Sequence, residues 1–324
     1  MGIFSVLVDA PAHSNLTQAL SYISDEPLTP GMLVRVPLGA REVWGVVDDQ
    51  PPGAVEPERL KRVSAVCTEM PPLNSAWLKL MHFAAGYYQR SVGEMALQSL
   101  PPQLRALSIE KLQKRLEKIQ ASGARTRAMG GSVTKSSESV EQAVPCGVAH
   151  GPAASPEQSV VLQALSQQAA AHRTALLFGN TGSGKTEVYL KRMFDVLNAD
   201  PKHQALIMVP EINLTPQLQA RVCDRFEPIW GKGCVVTLHS AMTPAQRLNA
   251  WLAVHLGRAR IVLGTRLAIL ASIPGLRLIV VDEEHDPSYK QQEGARYSAR
   301  DLAVYRGHAE GIQVILGSAT PSLE

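Results

Sequence analysis

The chain has 324 residues, 45% of them hydrophobic and 19% charged, with a formal net charge of +3 at neutral pH. That length allows two domains with sizeable cores, no apolar run approaches the roughly 18 residues of a membrane span, and the charge is too small to argue for a nucleic-acid partner by itself. Four cysteines, Cys67, Cys146, Cys223 and Cys234, are scattered without a C-x-x-C spacing, which gives neither a disulfide framework nor a zinc site and leaves them as small buried hydrophobes of a reducing compartment.

Residues 1–50 read as short strands, Phe4–Val8, Leu33–Val36 and Glu42–Val47, punctuated by Gly31, Pro37-Leu38-Gly39 and Gly45. The pattern predicts a small β-rich domain. A proline-rich connection over 51–75 leads into a helix over 75–99, where Trp77, Leu78, Leu80, Met81, Phe83 and Ala84 make a broad apolar face. Leu100-Pro101-Pro102 stops it. Ile109, Leu112, Leu116 and Ile119 then mark one stripe of a further helix, with Lys111, Lys114, Arg115 and Lys118 on its other sides. A basic face of this kind suits either solvent or a phosphate backbone. Residues 121–156 lose all periodicity and, rich in Gly, Ser, Ala and Pro, read as a flexible linker.

From Glu157 onward strands and helices alternate. The apolar strand candidates are Thr174–Phe178, Ala205–Val209, Cys234–His239, Arg260–Leu263, Leu276–Val281 and Ile312–Leu316, with helices such as Thr215–Phe226 and Pro244–His255 between them. This alternation predicts an α/β fold with a parallel sheet covered on both faces, and Ala175–Phe178 reads as a buried strand within it. The loop after that strand, Gly179-Asn180-Thr181-Gly182-Ser183-Gly184-Lys185-Thr186, fits G-x-x-x-x-G-K-[ST] and runs into a helical stretch, Glu187–Leu197. Glycines there let backbone amides turn onto phosphate oxygens, and the helix N-terminus adds partial positive charge. Lys185 is expected to reach the β- and γ-phosphates and the Thr186 hydroxyl to ligate Mg²⁺. A second site element, Asp282-Glu283-Glu284-His285, follows the strand Leu278–Val281. Asp282 is expected to hold the metal and Glu283 to orient and deprotonate a water.

With Gly317-Ser318-Ala319-Thr320, the Asp-Glu-Glu-His run resembles motifs II and III of superfamily 2 DNA helicases. Val209-Pro210-Glu211-Ile212-Asn213-Leu214-Thr215-Pro216-Gln217 resembles motif Ia, and Gly264-Thr265-Arg266 resembles motif Ib. Their order and spacing are similar to those of the primosomal replication-restart (PriA-type) helicase family. Two stretches sharpen the likeness: Asp286–Tyr297 is similar to that family's aromatic-rich loop, and the run through Gly31–Gly39 to Leu100–Arg105 is similar to its 3′-DNA-end-binding domain.

The resemblance implies a RecA-like helicase lobe over 155–324 and a small β-rich DNA-binding domain over 1–105. Between them, 106–154 would be a basic helix and linker where the family has a winged helix, which is expected to be reduced or absent. It implies an ATP-dependent 3′-to-5′ DNA helicase acting at stalled forks in the bacterial cytoplasm. Its cofactors would be ATP and Mg²⁺, and its partners forked or single-stranded DNA, primosome proteins and single-strand-binding protein, with no membrane. Gln158 stands where such helicases often read adenine, a role its amide suits, although a helix-capping glutamine would look the same. Thr215 and Arg266 match positions that grip the DNA backbone, a contact that positions without reading sequence, and Ser318 and Thr320 match positions that couple nucleotide state to DNA. Tyr289, Arg296 and Tyr297 are expected to stack on bases or sense a strand, against the alternative that the tyrosines pack a loop. In the family a second lobe, with a zinc-binding insertion, supplies an arginine to the transition state. The present chain carries four residues after Thr320. It is therefore expected to be a fragment that binds ATP weakly and hydrolyses it poorly, and a fork-DNA and ATP binder without turnover is the alternative reading. A small-molecule P-loop kinase is disfavoured by the strand-gripping motifs.

Overall fold

The computed structural model describes residues 2–10, 19–53, 60–117, 119, 151–168 and 173–322. Most of the expected linker, the fate of a winged helix over 106–154, Lys118 and Cys146 lie outside those residues.

The first sheet comprises β1 (Gly2–Val8), β2 (Leu20–Ser24), β3 (Leu33–Leu38), β4 (Arg41–Val47), β5 (Lys61–Arg62) and β6 (Ala65–Val66), in the order β5-β2-β1-β4-β3-β6. Its pairs are antiparallel apart from β2 with β5. Side chains alternate across it as a period of two requires. Val6, Val8, Tyr22, Val34 and Val36 fill one face, and Leu7, Leu33, Trp44 and Val46 fill the other. The helix expected over 75–99 is two helices, α1 (Ser75–Tyr87) and α2 (Val92–Ser99), followed by the short α3 (Pro102–Ala106). The break arises because Gln89 takes a left-handed φ of 54° and Ser91 caps a new helix by accepting from the Glu94 amide. Gly93 lets α2 touch β1: a Cβ there would lie 1.8 Å from the Val8 carbonyl oxygen.

The second sheet is wholly parallel. Its strands β7 (Thr174–Phe178), β8 (Gln204–Met208), β9 (Val235–Leu238), β10 (Ile261–Gly264), β11 (Leu276–Val281) and β12 (Gln313–Ser318) run in the order β7-β12-β11-β8-β10-β9. The helices are α4 (Pro156–Ser166), α5 (Lys185–Asn198), α6 (Pro216–Trp230), α7 (Pro244–His255) and α8 (Ala299–Glu310). Ala205, Ile207, Leu278 and Val280 pack with residues of α5 and α6 in one core. Their neighbours Leu206, Met208, Ile279 and Val281 belong to a second core, on the sheet's other face. β7 departs from expectation. Among the described residues it is an edge strand bonded only to β12, with Leu176 53% and Phe178 65% exposed. Cys67 and Cys234 are buried and Cys223 half-buried, all as free thiols, and burial pushes the Cys234 thiol up to about 12.

That second core is shared with the first domain: Trp77, Leu78 and Met81 of α1 belong to the same apolar cluster as Leu206, Met208 and Ile279. Two of the polar groups along this seam, Trp77 and His255, find partners. The Trp77 indole donates to Leu270 O at 2.9 Å. His255 bridges Pro71 O at 2.8 Å and Ser272 Oγ at 3.0 Å. Phe83 stacks on Tyr305 with ring centroids 3.5 Å apart. The basic helix joins in, burying Leu112 and Leu116 in this core while Arg115 donates to Asn249 of α7 at 3.0 Å. Lys111 and Lys114 stay exposed. Among the described residues no helix is long and apolar enough to cross a membrane.

Candidate functional site at the strand ends

A parallel sheet puts the carboxyl ends of its strands on one edge, where open α/β folds bind ligands. Five motifs meet there. The Gly179–Thr186 loop follows β7, the Val209–Gln217 run follows β8, Gly264–Arg266 follows β10, Asp282–His285 follows β11 and Gly317–Thr320 ends β12. Register holds them level: Phe178 pairs with Ser318, and Val281 pairs with both Leu316 and Met208.

The loop after β7 is anchored by the Gly179 amide donating to Ser318 O at 3.1 Å. Gly182 and Gly184 have φ of +83° and +84°, conformations that favour glycine, and Gly184 is the N-cap of α5. The first turn of α5 therefore begins at the loop, where its leading amides face a phosphate cradle. Asn180, Thr181, Gly182 and Ser183 are exposed, whereas Lys185 is buried at the loop's centre. Its ammonium donates to Gly179 O at 2.6 Å and lies 3.7 Å from Glu283. Gln158 makes a reciprocal capping box with Ser155, and its Nε2 also donates to Gly184 O at 3.3 Å. The capping reading thus holds, and the same amide touches the phosphate loop.

Asp282 is tied to β8 by its amide, which donates to Met208 O at 2.9 Å, and its Oδ1 accepts from the Tyr189 hydroxyl at 3.1 Å. Burial raises its pKa, with the Tyr189 hydrogen bond and the Lys185 charge acting the other way. A buried carboxylate of this kind gains from a cation. The Thr186 hydroxyl, next to Lys185 at the start of α5, is a second hard oxygen donor, and donors of this kind fit Mg²⁺. Glu283 has a left-handed φ of 47° and sits between Lys185 and the His285 ring, whose Nδ1 is 3.8 Å away. His285 Nδ1 also shares a 2.8 Å hydrogen bond with Ser318 Oγ, the Glu284 amide donates to Gly317 O, and the Thr320 amide donates to Ser318 Oγ. The two motifs are one bonded unit.

The chain matches the DEAD/DEAH box helicase family over residues 155–324 and the 3′ DNA-binding domain of PriA over residues 5–101. It is 33% identical over 350 residues to the replication restart protein PriA of Haemophilus influenzae, covering 93% of this chain and 47% of that protein. The Helicobacter pylori J99 protein of the same name is 32% identical, covering 95% of this chain and 42% of that one. The Bacillus subtilis protein is 43% identical over 153 residues, 47% of this chain and 18% of its own length. This chain belongs to the DEAD/DEAH box helicase family, in its PriA type. It spans about half the length of the first of these relatives or less.

In this PriA-type lobe the side chains expected to meet DNA divide into two groups. Thr215 is exposed and caps α6, its Oγ1 accepting from the Leu218 amide at 3.3 Å. Arg266 is half-buried, its guanidinium donating to Gln291 Oε1 at 2.7 Å and Ser288 O at 3.2 Å. Arg296 and Thr320 are exposed, while Ser318 is fully buried. Tyr289 and Tyr297 are 2% and 6% exposed. This corrects the expectation that their rings stack on bases, because a ring inside the core has no free face. The Tyr289 hydroxyl instead donates to Asp282 O at 2.6 Å and lies 3.0 Å from Met208 O, so it fastens the loop to the acidic turn.

Three features of the site escape the motif reading. Tyr189 follows Lys185 by four residues, a spacing that puts both on one helix face, and it holds Asp282. Gly317 is needed by Tyr189, since a Cβ there would lie 1.5 Å from the tyrosine oxygen. Glu284, the acid between the named motif positions, accepts from Ser322 N and Ser322 Oγ, both at 2.9 Å, and pairs with Arg300 at 3.4 Å. Burial opposes its ionised form, and the Ser322 and Arg300 contacts more than offset this to hold its pKa below the ordinary value.

Proposed function

We propose that this chain is the ATP-binding and DNA-engaging portion of a replication-restart helicase that hydrolyses ATP and moves 3′-to-5′ on forked or single-stranded DNA. The working units would be 1–105 for the DNA 3′ end, 106–154 as connector and 155–324 for ATP. The observation that carries this reading is the bonded unit at one sheet edge. Lys185 and Glu283 lie 3.7 Å apart, and His285 joins Ser318 and hence the motif expected to sense DNA.

In the reaction, Lys185 moves from the Gly179 carbonyl to the β- and γ-phosphate oxygens, and the amides at the start of α5 hold the remaining charge. Thr186 and Asp282 would hold Mg²⁺, which when bound neutralises charge on the phosphate oxygens. Glu283 orients a water against the γ-phosphorus. As the new P–O bond forms and the bond to the β-phosphate oxygen breaks, Glu283 takes the water's proton and ADP leaves. Gln158 would turn its amide from the loop carbonyl to adenine, Thr215 and Arg266 would grip the strand backbone, and Arg296 would meet a phosphate. Ser318 and Thr320 would relay nucleotide state. Primosome proteins and single-strand-binding protein would be partners, in a bacterial cytoplasm.

ATP hydrolysis by the chain with and without forked DNA, beside Lys185→Ala as blank, tests this. DNA-stimulated turnover above the blank is expected, at a low absolute rate. Binding of fork and nucleotide with no turnover would make the chain a docking portion only, and failure to bind DNA would contradict the proposal.

A further inference from the structure

The loop from Asp286 to Ser298 is a small hairpin. Lys290 bridges Ser298, and the Gln291 amide donates to Tyr297 O at 2.8 Å. Its base is fixed to the acidic turn by Tyr289, and its flank to the Gly264–Arg266 motif by Arg266. Its far end is held by the other domain. The Ser298 amide donates to the Tyr88 hydroxyl oxygen at 3.0 Å, and the Arg90 guanidinium donates to Gly294 O at 2.5 Å. Tyr88 and Arg90 flank Gln89 in the turn that ends α1, which is seated on α8 by the Phe83–Tyr305 stack.

Backbone conformation singles out the same place. Three non-glycine residues in the described chain have positive φ: Gln89 at 54°, Glu283 at 47° and Arg296 at 44°. One follows the catalytic Asp282. The other two lie on the two sides of this contact, where each opposes the ordinary preference of an L-residue and persists only because its surroundings over-determine it. Were the contact mere packing, relaxed backbone on both sides would serve as well. Gln89 lets consecutive side chains, Tyr88 and Arg90, reach the loop from a turn rather than from a helix.

We propose that Tyr88 and Arg90 are positioning residues that latch the 286–298 loop to the first domain, so that DNA held by the first domain sets the loop's conformation and, through Tyr289, the backbone of Asp282. The latch rests on the proposed function for its DNA input, but its geometry does not. Coupling of this kind requires that DNA bind the latched and unlatched forms with different affinity. The turn is placed for that: it belongs to the domain that matches the 3′ DNA-binding family, and its two hydrogen bonds are part-buried or exposed and so can break without opening the core.

The test is amide hydrogen exchange of the loop in the full chain, with and without a fork bearing a single-stranded tail, together with fork affinity by anisotropy. Tyr88→Phe combined with Arg90→Ala should speed exchange of the 289–298 peptide about tenfold, by removing the bonds that hold it. The melting temperature and fork affinity should stay near those of the parent. Fork DNA should alter exchange of this peptide in the parent and not in the double variant, a response that a merely structural role would not abolish. Restoring position 90 as lysine (Arg90→Lys with Tyr88 intact) should recover the response in part. Loop exchange in the double variant equal to the parent's, or an unchanged response to DNA, overturns the latch. A parent chain that binds no fork at all overturns the proposed function instead, and the comparison without DNA still decides the latch.

Discussion

The strand-end edge and the seam between the first domain and the lobe both gather polar groups beside apolar ones, yet they use them differently. At the seam buried polar groups are shielded and answered by fixed carbonyl or hydroxyl partners: Trp77 by Leu270, and His255 by Pro71 and Ser272, although the Trp251 indole of the same core has no such partner. At the strand ends the bonds are among groups that can exchange partners. Lys185 is held by a carbonyl of its own loop, and Glu283 sits on strained backbone between two cations or potential cations. On the proposed function, the seam serves stability and the edge serves binding. Substitutions in the seam should therefore cost folding, and substitutions at the edge should cost affinity, with folding lost as well only where an edge change disturbs packing.

The largest effect belongs to the seam. Trp77→Ala removes a fully buried ring from a core that both sheets share and should cost about 3–5 kcal/mol. Because α1 belongs to both sides, the melting curve should shift as one transition. Two transitions, with the upper at the parent temperature, would show that the lobe folds independently of the seam.

Next comes Gly317→Ala, where the new methyl and the Tyr189 oxygen compete for one position. Overpacking of this kind costs about 1–3 kcal/mol, and displacement of Tyr189 should weaken binding of a fluorescent ATP analogue. Tyr189→Phe in the same chain should restore part of both, and no restoration would mean that the clash lies elsewhere. Lys185→Ala sharpens the contrast from the other side. Nucleotide affinity should fall roughly 10- to 100-fold, the range for a hydrogen bond to a charged group, while the melting temperature stays unchanged.

The smallest effects are pH slopes of opposite sign. Burial disfavours the charged form of His255 and lowers its pKa from the ordinary 6.5, the Pro71 carbonyl only partly opposing this. Its contribution is complete above pH 6.5 and is lost as pH falls through its folded value, since the unfolded chain takes up a proton that the folded chain refuses. His82 is the reverse: its hydrogen bond to Asp48 raises its pKa above 6.5. Its contribution is complete below pH 6.5 and is lost as pH rises through the raised value. Melting temperatures across pH 5 to 8 should therefore lose their acid slope in His255→Gln and their slope above neutrality in His82→Gln.

Much of the edge can be read from residues in a row, because each motif is a contiguous run at the end of one strand. The strands Thr174–Phe178 and Leu276–Val281 and the helix Pro244–His255 fall where hydrophobic pattern and proline place them. Pattern could not say that the β7 strand lies at an edge, since strand order depends on pairings between distant segments. Nor could it see the turn at Gln89, where the helical pattern runs on over a single left-handed residue. The seam was illegible for the same reason, its contacts joining residues as far apart as Trp77 and Leu270. The tyrosines of the loop show the limit most plainly. Composition says that they are aromatic and near the acids, and only burial says that their rings are spoken for by Asp282, Met208 and the shared core.

One measurement tests directly whether the strand-end edge is an ATP site linked to DNA. The affinity of the parent chain for a fluorescent ATP analogue with Mg²⁺ should be titrated in the absence and presence of saturating forked DNA, beside Lys185→Ala. The expected result is binding that DNA tightens several-fold in the parent, with weak binding indifferent to DNA in the variant. Nucleotide binding of equal strength in both proteins, or a parent affinity untouched by DNA, would contradict the assignment of this edge.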